Sequence, residues 1–422
     1  MGFSAKTRRI FLKDMGIAMF GLGTAPAWLA RASAAEVSGA RKKVLVAIFQ
    51  RGAVDGLNVV VPFGDKHYYD LRPTIAIPSP KVGIGGPGKD AAIDLDGFFG
   101  LHPALAPLKP IYDSSHLAIV HAVGSPDPTR SHFDAQDYME SGTPGRKATS
   151  DGWLNRALRR QIDEAPSPVR AVSVGTQLAR ALRGSNEALA VANLNDFKVR
   201  DPLGSSLYEA MYDTSSDPIL SGTGRRTFEA VKMVEALQKQ PYAPANGAKY
   251  PNGGLGNSLQ QIARLIKADV GMEVAFTDVG GWDTHVNEVG ATPVQGQLAN
   301  LLTNFGEALA AFYQDMGDRM ADVTVVTMSE FGRTAHENGN RGTDHGHANY
   351  MMVMGGNTRG GKVYGDWPGL ATEQLHEQRD LDLTTDFRAV LSELVDRHLG
   401  NPNITNVFPG YAQGRYPGIL TA

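Results

Sequence analysis

The chain has 422 residues, with 41 basic and 44 acidic side chains and a net charge of −3, and 42% of its residues are hydrophobic. This mildly acidic balance argues against a nucleic acid partner and against binding to an anionic membrane surface. The chain contains no cysteine, which excludes disulfides and thiolate metal sites, so any metal must be held by histidine and carboxylate groups.

The first 34 residues have the composition of an export signal. Arg8 and Arg9 precede a Gly/Ala-rich apolar stretch over residues 15–30, and Ala32-Ser33-Ala34 has the small residues of a cleavage site. This segment resembles a twin-arginine (Tat) signal, and the alternatives are an ordinary secretory signal or a membrane anchor. It predicts a periplasmic or secreted protein that meets the Tat translocase during export. Because the Tat route carries folded proteins, a metal could be acquired before export.

The first half of the mature chain alternates apolar strands with helices. The predicted elements are strand 44–49, a helix over 102–112, strand 117–120 and strand 171–174. The polar, Gly/Pro/Ser-rich region 195–252 is predicted to be a helical insertion or cap flanked by loops.

The second half shows the clearer periodicity. Its predicted elements are a helix over 259–266, strand 272–277, a helix over 298–316, strand 323–328, strand 350–354 and a last helix over 387–395. Thr384 or Thr385 is the predicted cap of that last helix. The alternation predicts one α/β domain over 43–412, a three-layer α/β/α sandwich with a central mostly parallel sheet. No segment of the mature chain is apolar enough for a stable membrane span.

Acids and histidines cluster where several of these strands end. Ligands of an open parallel sheet bind at the carboxyl ends of its strands, and carboxylate and imidazole groups together suit Zn²⁺ or Mn²⁺. The predicted metal ligands are Asp55, Asp283, His285, Glu330, His345 and His347.

Each predicted ligand has a structural alternative. Asp55 could brace a turn between glycines, and Glu330 could be a surface acid. Asp283 and His285 are two positions apart, so in an extended segment they would share a face and reach one metal; a loop hydrogen bond is the alternative. His347 is either a ligand or a group that supports the ligands.

The stretch Thr129-Arg130-Ser131 combines hydroxyl groups with a cation, as an ester hydrolase requires. Ser131 is the predicted nucleophile beside Thr129, and Arg130 or Arg333 would offset the negative charge of the ester. A water activated by the metal is one alternative to Ser131, and a simple loop role for the stretch is the other.

Five segments of the chain resemble motifs of the DUF1501 family. These proteins are Tat-exported and are assigned to the alkaline phosphatase-like superfamily with sulfatases and phosphomutases. The resemblance covers nearly the whole mature chain and implies an alkaline phosphatase-like fold. The segments are Arg51-Gly52 with Asp55-Gly56-Leu57-Asn58, and the stretches 128–133, 281–285, 329–333 and 342–346.

In that superfamily an acid after the first strand, a hydroxyl or formylglycine nucleophile and two later Asp/His clusters hold two divalent metals. The resemblance carries these ligand roles onto Asp55, Asp283, His285 and His345. Phe331, however, stands where metal-binding members have a histidine, which puts a second metal in doubt. The residues that could compensate are His132, Asp134 and Asp278.

The sequence therefore predicts an exported metal-dependent hydrolase of a phosphate or sulfate ester. One or two divalent ions would serve it, with Zn or Mn favoured over Ca or Mg, and its partner would be a small anionic ester or a sulfated or phosphorylated glycan. The alternative is a non-catalytic envelope binding protein that kept the fold and lost the metal chemistry.

Overall fold

The computed structural model describes residues 41–147, 149–159, 166–197, 211–212 and 218–421. The predicted Tat signal, residues 1–34, lies outside the described residues. Among the helices in the described ranges, none is long and apolar enough to cross a bilayer.

A twisted nine-stranded sheet forms the centre of the molecule, with strand order β11-β5-β10-β9-β1-β8-β6-β7 and β12 paired with β5. A second, three-stranded sheet has the order β2-β4-β3. The strands are β1 (Val44–Gln50), β2 (Val60–Val61), β3 (Ile93–Asp94), β4 (Gly100–Leu101), β5 (Leu117–Gly124), β6 (Ala171–Val174), β7 (Leu189–Val191), β8 (Val274–Val279), β9 (Val323–Ser329), β10 (Asn349–Gly355), β11 (Lys362–Tyr364) and β12 (Thr385–Asp386).

The main sheet is parallel except at one strand. β1 pairs in parallel with β8 and β9, and β6 pairs in parallel with β7 and β8. β10 runs antiparallel to both of its neighbours, β5 and β9. Its amino end therefore lies at the same edge of the sheet as the carboxyl ends of β1, β8 and β9.

Helices cover both faces of this sheet. They are α1 (Gly56–Val59), α2 (Lys66–Leu71), α3 (Lys109–Asp113), α4 (His132–Ser141), α5 (Trp153–Ala157), α6 (Pro218–Gln238), α7 (Gly254–Lys267), α8 (Gln297–Met316), α9 (Phe387–Glu393) and α10 (Ile404–Val407). Shorter 3₁₀ turns cover Pro103–Leu108, Arg180–Leu182, Gly317–Asp322 and Thr372–Gln374, and a π-helical turn over Leu394–His398 extends α9.

Side chains of β1 alternate between the two layers of core, as the period of a strand requires. Val44, Val46 and Ile48 join the core that packs against α6, α7 and α8. Leu45, Ala47 and Phe49 join the core on the opposite face, against α5, α9 and α10. The predicted α/β class with a central mostly parallel sheet is thus confirmed.

Local predictions differ from the structure in two places. The predicted helix over 102–112 begins as a 3₁₀ turn that contains Pro107, because proline cannot donate the hydrogen bond of a regular α-helix. The last helix is capped by neither Thr384 nor Thr385. The cap is Asp386, whose carboxylate accepts a hydrogen bond from the Arg388 amide, so the helix begins at Phe387. Thr385 belongs to β12 and pairs with β5.

The predicted insertion over 195–252 falls partly within the described residues. There it contains α6, whose Ala230, Met233 and Val234 are buried in the core beside the sheet. Residues 198–210 and 213–217 lie outside the described residues.

Candidate metal centre

Three histidines and one aspartate meet at the edge where β1, β8 and β9 end and β10 begins. Asp283 and His285 follow β8, His345 precedes β10, and His132 is the first residue of α4. His132, Asp283 and His345 each offer a ligand atom, and these atoms lie within 4.8 Å of one another.

Each of the three histidines is fixed by a hydrogen bond at Nδ1. The partner of the His132 Nδ1 is the Glu330 carboxylate at 2.8 Å, that of His345 is the Arg130 carbonyl at 2.9 Å, and that of His285 is the Asp344 carboxylate at 3.2 Å. All three partners are acceptors, so each Nδ1 carries a proton, and in the neutral form of the ring Nε2 then presents a lone pair. Such support of one imidazole nitrogen by an acceptor is typical of metal-bound histidines.

The three Nε2 atoms surround the Asp283 carboxylate. Distances to its oxygens are 3.1 Å from His285, 3.3 Å from His345 and 3.6 Å from His132. The Nε2 atoms of His285 and His345 lie 2.9 Å apart. Two lone pairs at that distance repel each other unless a proton or a metal cation lies between them.

These separations match a first-row metal centre. Ligand atoms about 2.0–2.1 Å from a tetrahedral zinc ion are roughly 3.3–3.4 Å from one another. In addition, the Nε2 of His132 is buried and has no hydrogen-bond partner, although buried polar atoms are nearly always paired. The residues present therefore fit a divalent metal held by imidazole and carboxylate, the donor set of Zn²⁺ or Mn²⁺.

Charged neighbours adjust the proton affinity of the ligands. Burial on its own would raise the pKa of Asp283, but the hydrogen bond and charge of Arg333 and the charge of His285 hold it below its usual value. The hydrogen bond that His132 donates to the Glu330 carboxylate raises the pKa of His132, against the effect of burial. Burial lowers the pKa of His345. Asp283 is therefore ionised at neutral pH and can bind a cation.

Glu330 lies behind His132 rather than among the atoms of the cluster. Its Oε1 also accepts hydrogen bonds from the Gly52 amide and from Gln136 Nε2, both at 2.8 Å. Burial opposes its ionisation, but these bonds, with the one to His132, hold the pKa of the carboxyl below its ordinary value. Glu330, a predicted ligand, therefore contacts the centre only through the His132 imidazole.

Asp55 lies in a buried ion pair at a different place. Both of its oxygens accept from the Arg72 guanidinium, at 2.5 and 2.9 Å, and neither side chain reaches solvent. Among the described residues, the group of mutually close ligand atoms does not include it.

His347 is also outside that group. Its ring stacks on His376 with 4.3 Å between the centroids, and burial lowers its pKa to about 4. His347 lies at the same edge of the sheet, but its ring faces His376 and not Asp283.

The predicted nucleophile segment leads directly into His132. Ser131 is the N-cap of α4 and accepts from the Asp134 amide, while Thr129 Oγ1 accepts from the Ser131 amide. Arg130 donates to Asp380 and Glu377 at 2.6 and 2.7 Å. The structure thus places Ser131 next to the candidate ligand His132. The Ser131 hydroxyl caps α4, and the Thr129 hydroxyl supports the turn before that helix.

Arg333 is fully buried and braces the centre. Its guanidinium donates to the carbonyls of Ala53, Gly52, Trp282 and Thr343 and to the Asp283 carboxylate at 2.6 Å. It therefore joins the ends of β1, β8 and β9 and orients one predicted ligand.

Two residues at the centre have roles that the sequence did not assign. The sequence offers His132 only as a residue that could compensate for Phe331, whereas in the structure Ser131 caps a helix whose first turn faces the site. Phe331 stacks against the rings of His132 and His345, with centroids 5.1 and 5.0 Å away. It cannot bind a metal, but it holds two imidazoles in place.

A buried carboxyl group ties the ligand segments together from behind. Glu288 accepts from the hydroxyls of Thr284 and Thr343, at 3.1 and 3.0 Å, and from Asn58 Nδ2 at 3.2 Å. Thr284 lies between Asp283 and His285. Burial raises the pKa of Glu288 and the neighbouring Asp55 raises it further, well above its ordinary value, so the surroundings favour the protonated form of Glu288.

A family model described as "Protein of unknown function (DUF1501)" matches residues 115–406. No curated protein matches the sequence.

Several solved structures are similar to the chain at low identity. One is a protein in the alkaline phosphatase superfamily from Vibrio parahaemolyticus, with 10% identity and a TM-score of 0.31 over 77% of this chain and 62% of that one. The periplasmic domain of EptC from Escherichia coli, in complex with Zn, has 8% identity and a TM-score of 0.35 over 76% and 74%. The lipoteichoic acid synthase LtaP from Listeria monocytogenes has 9% identity and a TM-score of 0.35, over 78% of this chain and 69% of that one. The chain thus spans less than two thirds of the Vibrio protein.

Proposed function

The chain belongs to the DUF1501 family, whose function is unknown, and we propose that it is an exported metal-dependent hydrolase of a phosphate or sulfate ester. The observation that carries the proposal is the convergence of His132, Asp283 and His345, with His285 beside them. When bound there, a divalent ion would polarise the ester oxygens and favour attack on the ester.

The protein's own side chains would prepare this site before substrate arrives. Glu330, Asp344 and the Arg130 carbonyl orient the three imidazoles, and Arg333 fixes the Asp283 carboxylate. Phe331 excludes water from one side of the His132 and His345 rings. A site held in place by its neighbours needs little rearrangement during the reaction.

Ser131 is the proposed nucleophile, because it directly precedes His132 and lies in the segment that delivers the Arg130 carbonyl to His345. A water molecule is the alternative attacking group. Thr129 and Arg130 would hold this segment in place through the Ser131 amide and the Asp380 carboxylate. One ion is proposed, since Asp55 is occupied by Arg72.

The test is metal analysis of the purified mature protein, followed by a screen against aryl phosphates and aryl sulfates. We expect about one zinc or manganese ion per chain and turnover that is lost with a chelator and restored with the ion. Ser131→Ala should keep the metal and the fold while losing a trapped covalent enzyme. Full activity in that variant would favour water as the attacking group. Bound metal without turnover of any ester would favour the binding protein of the envelope.

A further inference from the structure

A second polar cavity opens at the same edge of the sheet, beside the candidate metal centre. It has a volume of about 330 Å³ and lies between the ends of β6 and β8. Sites for small molecules begin at about this size. We call it the arginine pocket, after the three arginines Arg51, Arg180 and Arg183 in its wall.

Hydrogen bonds connect the arginine pocket with the metal centre. Arg51 Nη1 donates to Gln136 Oε1 at 2.9 Å, and Gln136 Nε2 donates to Glu330 Oε1 at 2.8 Å. The same Glu330 oxygen is the partner of His132 Nδ1. The arginine pocket and the metal centre therefore lie on opposite sides of one hydrogen-bonded wall, formed by Arg51, Gln136 and Glu330.

Two of the three arginines are fixed in place by acids. Arg51 pairs with Glu140 at 2.8 Å and with Asp278, and Arg180 Nε donates to Asp137 at 2.8 Å. These bonds hold each guanidinium in one orientation.

The pocket nevertheless contains guanidinium donors without an acceptor. Arg180 Nη1 is buried and has no hydrogen-bond partner. Arg183 is exposed, its Nε donates to the Leu178 carbonyl at 3.4 Å, and no acid pairs with it in the described part of the chain. Glu140 and Asp278, which also line the pocket, both pair with Arg51. The guanidinium of Arg183 is therefore the group in this wall that an anion in the pocket would pair with.

We propose that the arginine pocket binds a second anionic group of the substrate, carried on a unit of about the size of a monosaccharide. Planar guanidinium donors match the oxygens of a carboxylate, sulfate or phosphate better than those of a neutral hydroxyl. Naming this ligand as part of the substrate rests on the proposed function; the binding of the anion does not.

The test compares two probes that differ in one charge, methyl glucuronide and methyl glucoside. Both are added to mature protein that has been stripped of metal with a chelator, so that the metal centre cannot capture the carboxylate. We expect calorimetry to show at least tenfold tighter binding of the glucuronide, and Arg183→Gln to remove that preference while Arg183→Lys keeps part of it.

Arg415→Gln is the matched control, since Arg415 is an exposed arginine outside the lining and its loss changes the net charge equally. Equal affinity for the two probes, or equal effects of Arg183→Gln and Arg415→Gln, would overturn the proposal. Ester turnover is measured separately. Glucuronide binding without turnover would retain the anion pocket and reject the hydrolase.

Discussion

His132, Asp283 and His345 belong to three separate segments of the chain, and one ion would join them. We expect alanine at any of the three to abolish most metal binding and to lower the melting temperature, because a ligand stabilises the native state that binds it. Metal content by mass spectrometry and melting curves with and without chelator measure this effect. His347→Ala is the control and should retain the metal, since its ring faces His376. Unchanged metal content in all three variants would refute the site.

Glu288 offers a test of the buried network behind the ligands. Because the pKa of Glu288 is raised in the folded protein, its stabilising effect is complete below about pH 4.5, the ordinary pKa of a glutamate. The effect is lost as the pH rises towards the pKa that Glu288 has in the folded state. Gln keeps the shape and does not titrate. Relative to wild type, the unfolding free energy of Glu288→Gln should therefore increase from pH 5 to pH 8.

Glu288→Ala is the contrasting variant. It removes the acceptor of the Thr284 and Thr343 hydroxyls, at a cost of about 1–3 kcal/mol for each hydroxyl that stays unsatisfied. Urea denaturation across this pH range measures both variants. A difference between Gln and wild type that does not change with pH would contradict a protonated Glu288.

The sequence identified the segments of the site better than the side chains within them. Strand ends and local spacing placed Asp283, His285 and His345 together. Asp55 differs because its partner, Arg72, comes from a neighbouring helix end, and no local pattern predicts that a bidentate ion pair will occupy the acid. Whether an acid contacts a metal or an arginine is decided by tertiary contacts.

At the scale of elements, close backbone contact joins the strand ends. Gly52, which follows β1, has a φ of +118°, and a Cβ there would lie 2.6 Å from the Asp283 backbone nitrogen. We expect Gly52→Ala to lower the unfolding free energy by about 1–3 kcal/mol and to weaken metal binding, since the ligand segment must shift.

Gly280→Ala is the control for this change. A Cβ at Gly280 would meet nothing within 4 Å, so both stability and metal affinity should stay close to those of wild type. Equal unfolding free energies and equal metal affinities in the two variants would show that the close contact between Gly52 and the Asp283 backbone supports neither stability nor metal binding.

Periodicity predicted most elements, because continuous apolar runs are typical of strands buried on both faces. It could not predict the direction of β10, since an apolar run reads alike in either direction. Because β10 runs antiparallel to β9, the loop between them stays at the edge where β9 ends, and this loop holds both Glu330 and His345.

Whole-molecule stability should depend on pH through buried neutral histidines. Burial lowers the pKa of His102, His121 and His398 to about 4, from an ordinary value of 6.5. Between these values the unfolded chain binds protons that the folded protein cannot, so the unfolding free energy falls as the pH drops from 6.5 to 4. Each histidine contributes a slope of up to about 1.4 kcal/mol per pH unit.

Urea midpoints of metal-free protein at pH 7.5, 6.0 and 5.0 measure this slope. A His121→Asn variant should have a shallower slope than wild type even if its stability at pH 7.5 is lower. Midpoints that do not change over this range would contradict the burial of neutral imidazoles.

The predicted Tat signal over residues 1–34 can be tested by its two arginines. Changing Arg8 and Arg9 together to lysine keeps the charge but removes the pair that the Tat receptor recognises. We expect precursor to accumulate in the cytoplasm, measured by fractionation and immunoblotting. Normal export of this variant through the Tat route would reject the predicted signal.

The position of β1 between β8 and β9 has a consequence during synthesis. β1 leaves the ribosome long before either of its neighbours exists, and the Gly52 amide meets a Glu330 that is 278 positions later. A half-made chain therefore exposes an apolar strand with two unpaired edges, which favours aggregation until β8 and β9 have been made. The candidate ligands likewise come together only after His345 has been made. A chain that stops before β9 should therefore bind no metal at this place, because it lacks His345.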